Sequence, residues 1–131
     1  MVDYRVQSFV ALTLLICLGL HSRIASAVTY IVGDANGWSP HVINWTNGKK
    51  FKPDDVLVFN YDPAVHNVVE VDQYSYDTCT LGEHATTYNS GHDQITLTQG
   101  QHYFISMLNG PNDCNDGMKI ELHDYFGPPR A

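Results

Sequence analysis

The stretch "HYFISMLNGPNDCNDGMKIELH", His102 to His123, decides the fold. Two apolar and aromatic runs flank a polar loop whose far end gathers Asp113, Cys114 and Met118. In the second run Met118, Ile120 and Leu122 fall on one side, while Lys119, Glu121 and His123 fall on the other. A period of two marks a half-buried β-strand. The segment therefore reads as two strands and a loop able to hold something, with Ser106 and Asp113 the residues to watch.

Working outward, "VTYIV", "DVLVFNY", "HNVVEV" and "DQITLT" have the same character, punctuated by Gly, Asn, Asp and Pro. No amphipathic helical stretch of ten or more residues competes with them. Short strands at this spacing predict an all-β sandwich or barrel. "VLVFNY" is apolar on both faces and predicts a central, doubly covered strand. Ile95 and Leu97 share an inward side, and one brief helical segment is predicted over 72–79, "DQYSYDTC".

The first 27 residues carry an early arginine, an apolar run from Phe9 to Leu20, and Ala25-Ser26-Ala27. This is the pattern of a secretory signal peptide cut after Ala27. About a dozen apolar residues fall short of the roughly 20 that cross a bilayer. The end "HDYFGPPRA" lacks the hydrophobic tail of a GPI-anchor signal. The expectation is one secreted domain, residues 28–131, with no membrane span.

Removing the leader takes Arg5, Arg23 and Asp3 with it and leaves 5 basic against 13 acidic side chains. So acidic a chain is unsuited to nucleic acid, whose binding depends on neutralising phosphates with Lys and Arg. Cys17 also leaves, so the mature chain keeps Cys79 and Cys114, and an oxidising compartment allows them one bridge. Asn44-Trp45-Thr46 is a glycosylation sequon, open to use if Asn44 is exposed and skipped if Trp45 buries it.

"YIVGDANGW", "GKKFKPDDVLVFNYDPAVHNVVEV", "CTLGEHATTYNSGHDQITLTQGQHYFIS" and "GMKIEL" together resemble the phytocyanins, plant cupredoxins, and most of all their plantacyanin or basic blue subgroup. The resemblance spans nearly the whole mature chain. It implies a cupredoxin Greek-key β-sandwich of two sheets, a Cys79–Cys114 disulfide, and blue-copper electron transfer at the plant cell wall or apoplast. Carriers of this kind hold copper with two histidines, one cysteine and a weak axial methionine. The soft thiolate suits Cu(I), imidazoles suit both oxidation states, and the long axial ligand tunes the potential.

Carried over residue by residue, the resemblance keeps His66 as first histidine and Met118 as axial methionine. It loses the other two. Ser106 stands at the end of "YFI" where the carriers have their cysteine, and Asp113 stands before the disulfide cysteine where they have the second histidine. Ser106 and Cys114 are eight apart rather than the carriers' six, so Asn112 is an equal candidate for the vacated place. A serine hydroxyl is a hard, neutral oxygen and does not replace a copper thiolate.

The expectation is a copper-free site on a preserved scaffold, with an interaction surface at His66, Leu108, Asn109 and Pro111. The partner would be an extracellular protein or cell-wall carbohydrate, and the chain a monomer. The alternative is a copper-binding electron-transfer protein, or a weak Cu(II) site, rebuilt around His66 and Met118 with Asp113 as an oxygen ligand. His41, His84, His92, His102 and His123 read as solvated surface imidazoles. No Gly-x-Ser-x-Gly or His-Glu-x-x-His motif suggests catalysis. A Ser106–His66 nucleophile and base would need a third, orienting residue. Asp54-Asp55 reads as turn chemistry.

Overall fold

In the computed structural model, residues 26–123 are described. Residues 1–25, most of the expected leader, and the "DYFGPPRA" tail lie outside them. Within the described residues seven strands form two sheets. The first, in order β1-β2-β5, consists of β1 (Thr29–Ile31), β2 (Val56–Asn60) and β5 (His92–Thr96). The second, in order β4-β3-β6-β7, consists of β3 (Val68–Val71), β4 (Thr86–Tyr88), β6 (Gln101–Ile105) and β7 (Lys119–His123). Only the β1–β2 pairing is parallel among them.

Between the sheets lies a core of Trp38, Leu57, Phe59, Val68, Leu97, Phe104, Met118, Ile120 and Leu122. The expected alternation in β7 is met, with Ile120 and Leu122 buried and Glu121 and His123 exposed. Strand β2 is central, and Val58 is buried as well as Leu57 and Phe59. A second cluster, Val69, Val71, Tyr76, Tyr103 and Ile105, covers the outer face of the four-stranded sheet around the Cys79–Cys114 disulfide. Helix α1 (Gln73–Thr78) supplies Tyr76, and its start is fixed by Asp72, whose carboxylate accepts from the Ser75 amide.

A second helix that the sequence reading did not anticipate, α2 (Asn112–Asn115), turns inside the loop and buries Cys114. Its four residues are too few to show a 3.6-residue period. Gly117 then adopts φ 84°, a left-handed conformation that returns the chain to β7. The Asp54-Asp55 turn is as expected: Asp54 has φ 75°, and buried Asp55 accepts from the Lys52 amide.

Burial, followed by the negative charges of Glu121 and Asp77, pushes the Tyr76 phenol up to about 12. Burial and the hydrogen bond to Asp93 do the same for Tyr61. Both folded-state values lie above the ordinary one of about 10. Their contribution to stability is whole below about pH 10 and is lost as the pH climbs through about 12. Denaturation midpoints from about pH 9 to about pH 11.5 should fall steeply in the wild type and less steeply in Tyr76→Phe.

Candidate functional site

His66 and Ser106 sit just past the ends of neighbouring strands: His66 two residues before β3, Ser106 one residue after β6. The antiparallel pairing of those strands, with Val69 opposite Ile105, brings the two positions to the same end of the sandwich. The approach to His66 is built by Asp62, whose carboxylate accepts from the Ala64 amide and whose carbonyl accepts from the His66 amide. The far wall is set by three backbone positions. The Ser106 amide donates to the Met118 carbonyl at 3.1 Å, and the Met118 amide to the Asp113 carbonyl at 2.9 Å.

Asn67 locks the arrangement from inside. Its carbonyl accepts from the Trp38 indole at 2.9 Å, its side-chain oxygen from the Met107 amide at 2.8 Å, and its own amide donates to the Ser106 hydroxyl at 3.4 Å. Replacing it with alanine would strand the Met107 amide, a loss of about 1–3 kcal/mol if water does not reach it.

Into this frame the side chains place a continuous polar chain. Ser106 Oγ donates to Asp113 Oδ2 at 3.0 Å, and the same oxygen lies 2.7 Å from His66 Nδ1. An ionised carboxylate only accepts, so Nδ1 carries the proton and donates it. Ser106 is fully buried, while the His66 and Asp113 side chains are about one-fifth exposed. Asp113 therefore faces His66 and Ser106, and Asn112, equally placed in the sequence, is exposed.

The donor set does not fit a blue-copper centre. Among the described residues both cysteines are tied up in the disulfide and no thiolate is present, one imidazole stands where two are wanted, and the Nδ1 of that imidazole is committed to Asp113. Met118 is completely buried in the core. Among the described residues, no group of three or more His, Cys, Asp and Glu is placed to hold a metal. Nor is the chain a nucleophile and base. The serine hydroxyl faces the carboxylate rather than the imidazole, so His66 does not receive its proton.

Around this chain, Leu108, Asn109 and Pro111 are exposed, as is Val65 beside His66, and Asn109 Nδ2 donates to the Val65 carbonyl at 3.4 Å. The remaining histidines scatter. His41, His84, His92 and His123 are exposed, and His92 bonds Asn60. His102 corrects the expectation of a solvated imidazole: it is 8% exposed, with Nδ1 at 2.9 Å from Glu70 and Nε2 at 2.7 Å from the Thr98 carbonyl. Nearly every residue of β6 is buried, so alternation did not mark it, and Glu70 lies 32 residues away.

Sandwich, disulfide and site position together define a cupredoxin. A family model described as a plastocyanin-like domain matches residues 38–118, and the chain belongs to that family. Within it the chain is a phytocyanin. It is 44% identical to the basic blue protein of Arabidopsis thaliana over 120 residues, 92% of each chain. It is 43% identical to the chemocyanin of Lilium longiflorum over 108 residues, 82% of this chain and 84% of that one. The solved structure of cucumber basic protein, a blue copper protein, superposes with a TM-score of 0.71 at 44% identity and covers 75% of this chain and all of that one. Against relatives named basic, this chain has a net charge of −7.

Proposed function

We propose that this protein is a secreted phytocyanin that carries no copper and works as an extracellular interaction module rather than an electron carrier or an enzyme. One observation carries the reading: Ser106 and His66 both bond to Asp113, at positions that the family resemblance assigns to metal ligands. Protons bridge the residues that copper would otherwise cross-link, so the end of the sandwich is closed without an ion. Losing a group that merely supports a metal ligand costs ~10–100-fold in affinity, and here two direct ligands differ.

The contact surface is the half-buried His66 with the exposed Leu108, Asn109 and Pro111 around it, facing a cell-wall carbohydrate or an extracellular protein. The acidic mature chain would not adhere to acidic polysaccharide by charge, so any hold on the wall comes from specific contacts or bridging calcium. Asn44 is exposed, at the end of a 3-10 turn, and is available for a glycan on the secretory route. The leader, the cut after Ala27 and the monomeric state belong to the same reading.

The alternative, a redox centre rebuilt around His66 and Met118, has less support because the imidazole nitrogen is engaged and the thioether is packed in the core. Paramagnetic resonance after adding equimolar Cu(II) tests the choice. A spectrum of free or adventitious Cu(II), removable by dialysis, is expected. A retained centre lost on His66→Ala would contradict the proposal. For the surface, replacing residues 108–113 should abolish salt-insensitive retention on cell-wall material, and unchanged retention would remove that face from consideration.

A further inference from the structure

Asp55 is a completely buried carboxylate that takes no part in the hydrogen bonds joining His66, Asp113 and Ser106. Its place is fixed by backbone on both sides, because its amide donates to the Lys52 carbonyl and its carbonyl accepts from the Leu97 amide at 2.7 Å. Oδ2 accepts from the Lys52 amide at 3.0 Å, and Oδ1 accepts from the Val28 backbone nitrogen at 2.9 Å. The sole ion pair found for it among the described residues is with Lys52 Nζ at 3.6 Å, on a side chain 36% exposed. That same ammonium also donates to the Ser26 carbonyl. Two backbone amides satisfy its oxygens, but the one opposite charge beside it lies at 3.6 Å on a partly exposed side chain, so the buried charge gains from a closer cation.

Val28 is the residue that follows the expected cut after Ala27. Its nitrogen is held in position, because the Val28 carbonyl accepts from the Val56 amide at 2.9 Å and Thr29 pairs with Val56 in the parallel ladder. We propose that Asp55 is the seat of the mature chain's α-ammonium. Hydrolysis of the Ala27–Val28 bond turns a neutral amide donor into a cation without moving it. It also removes the Ser26 carbonyl and leaves Lys52 to the carboxylate. Charge-assisted hydrogen bonds are about twice as strong as neutral ones. Processing thus adds an ion pair that the leader-bearing chain lacks, and it strengthens the hold of β1 on β2 that the parallel ladder already provides.

The inference rests on the leader reading, and the two are separable. Mass spectrometry of secreted protein reports whether the chain begins at Val28. A recombinant chain begun at Val28 tests the pairing whatever that result. Its unfolding equilibrium constant should be roughly tenfold smaller than that of a chain keeping Ser26-Ala27. The difference should shrink below about twofold when both carry Asp55→Asn. Equal constants with Asp55 in place, or a difference that survives Asp55→Asn, would overturn the proposal. Should Asp55→Asn not fold, titration of the Val28 amine decides. Asp55 raises its pKa above the ordinary ~7.7–8.0, opposed by Lys52, the other charge at this carboxylate. An ordinary or lowered value would overturn the pairing.

Discussion

Changing Ser106→Cys and Asp113→His together should turn a colourless protein blue on addition of Cu(II) and leave about one copper per chain after dialysis. The scaffold already brings the His66 ring and the Met118 backbone to these two positions. His66 stands within 2.7 Å of the Asp113 carboxylate, Ser106 within 3.0 Å of it, and the Met118 backbone is bonded to both Ser106 and Asp113. The four residues are therefore already gathered, despite a loop two residues longer than in the carriers. What is missing is chemical: a soft thiolate and a second imidazole. The double variant should bind Cu(II) at least ~100-fold more tightly than the wild type, taking the upper cost of losing one supporting group as a floor. Ser106→Cys alone should give weaker binding. A double variant that stays colourless would show that the longer loop misplaces residue 113, and that the site differs in geometry as well as in ligands.

The second large effect concerns the disulfide. Cys79 ends α1 in a left-handed conformation at φ 51°, and Cys114 lies in α2, so the bridge ties the outer helix to the site loop. Replacing both cysteines with alanine should lower stability by about 4 kcal/mol, the chain-entropy value for a separation of 35 residues. For a domain of this size that is roughly 15–30 °C in melting temperature. The damage should centre on the site, because Asp113 precedes Cys114 directly and reaches His66 only while α2 is held. Calorimetry measures the first effect, and the chemical shifts of the His66 ring the second. A loss under about 1 kcal/mol would mean that the buried contacts of Tyr76, Tyr103 and Ile105 hold the helices without the bridge.

The architecture was legible where one face of a strand is wet. Lys119, Glu121 and His123 alternate with Met118, Ile120 and Leu122, and Asp72 announces α1 as a cap placed before an aromatic-rich turn. It was not legible where burial is two-sided or elements are very short. Strand β4 is three residues, "TTY", at a sheet edge, with two of them exposed and no apolar pattern to read. His102 is buried through partners distant in sequence or on the backbone, which no local pattern encodes.

At the site, the two departures from the carriers were visible as letters, Ser106 and Asp113. Their bonding was not, because the Ser106–Asp113 contact closes across an irregular loop and the tie to His66 comes from 47 residues away. The choice between Asn112 and Asp113 likewise needed the turn of α2, which directs Asp113 inward and leaves Asn112 in solvent. Asp55 read correctly as a turn residue, but its contact with Val28 joins positions 27 apart and so lay beyond any motif.

The central claim is that Ser106, Asp113 and His66 close this end of the sandwich on one another and leave copper no seat. Metal analysis of the protein purified from a eukaryotic secretory host, without added or stripped metal, tests it most directly. The account predicts far less than one copper per chain and no visible colour. An intensely blue protein carrying one copper per chain would contradict it.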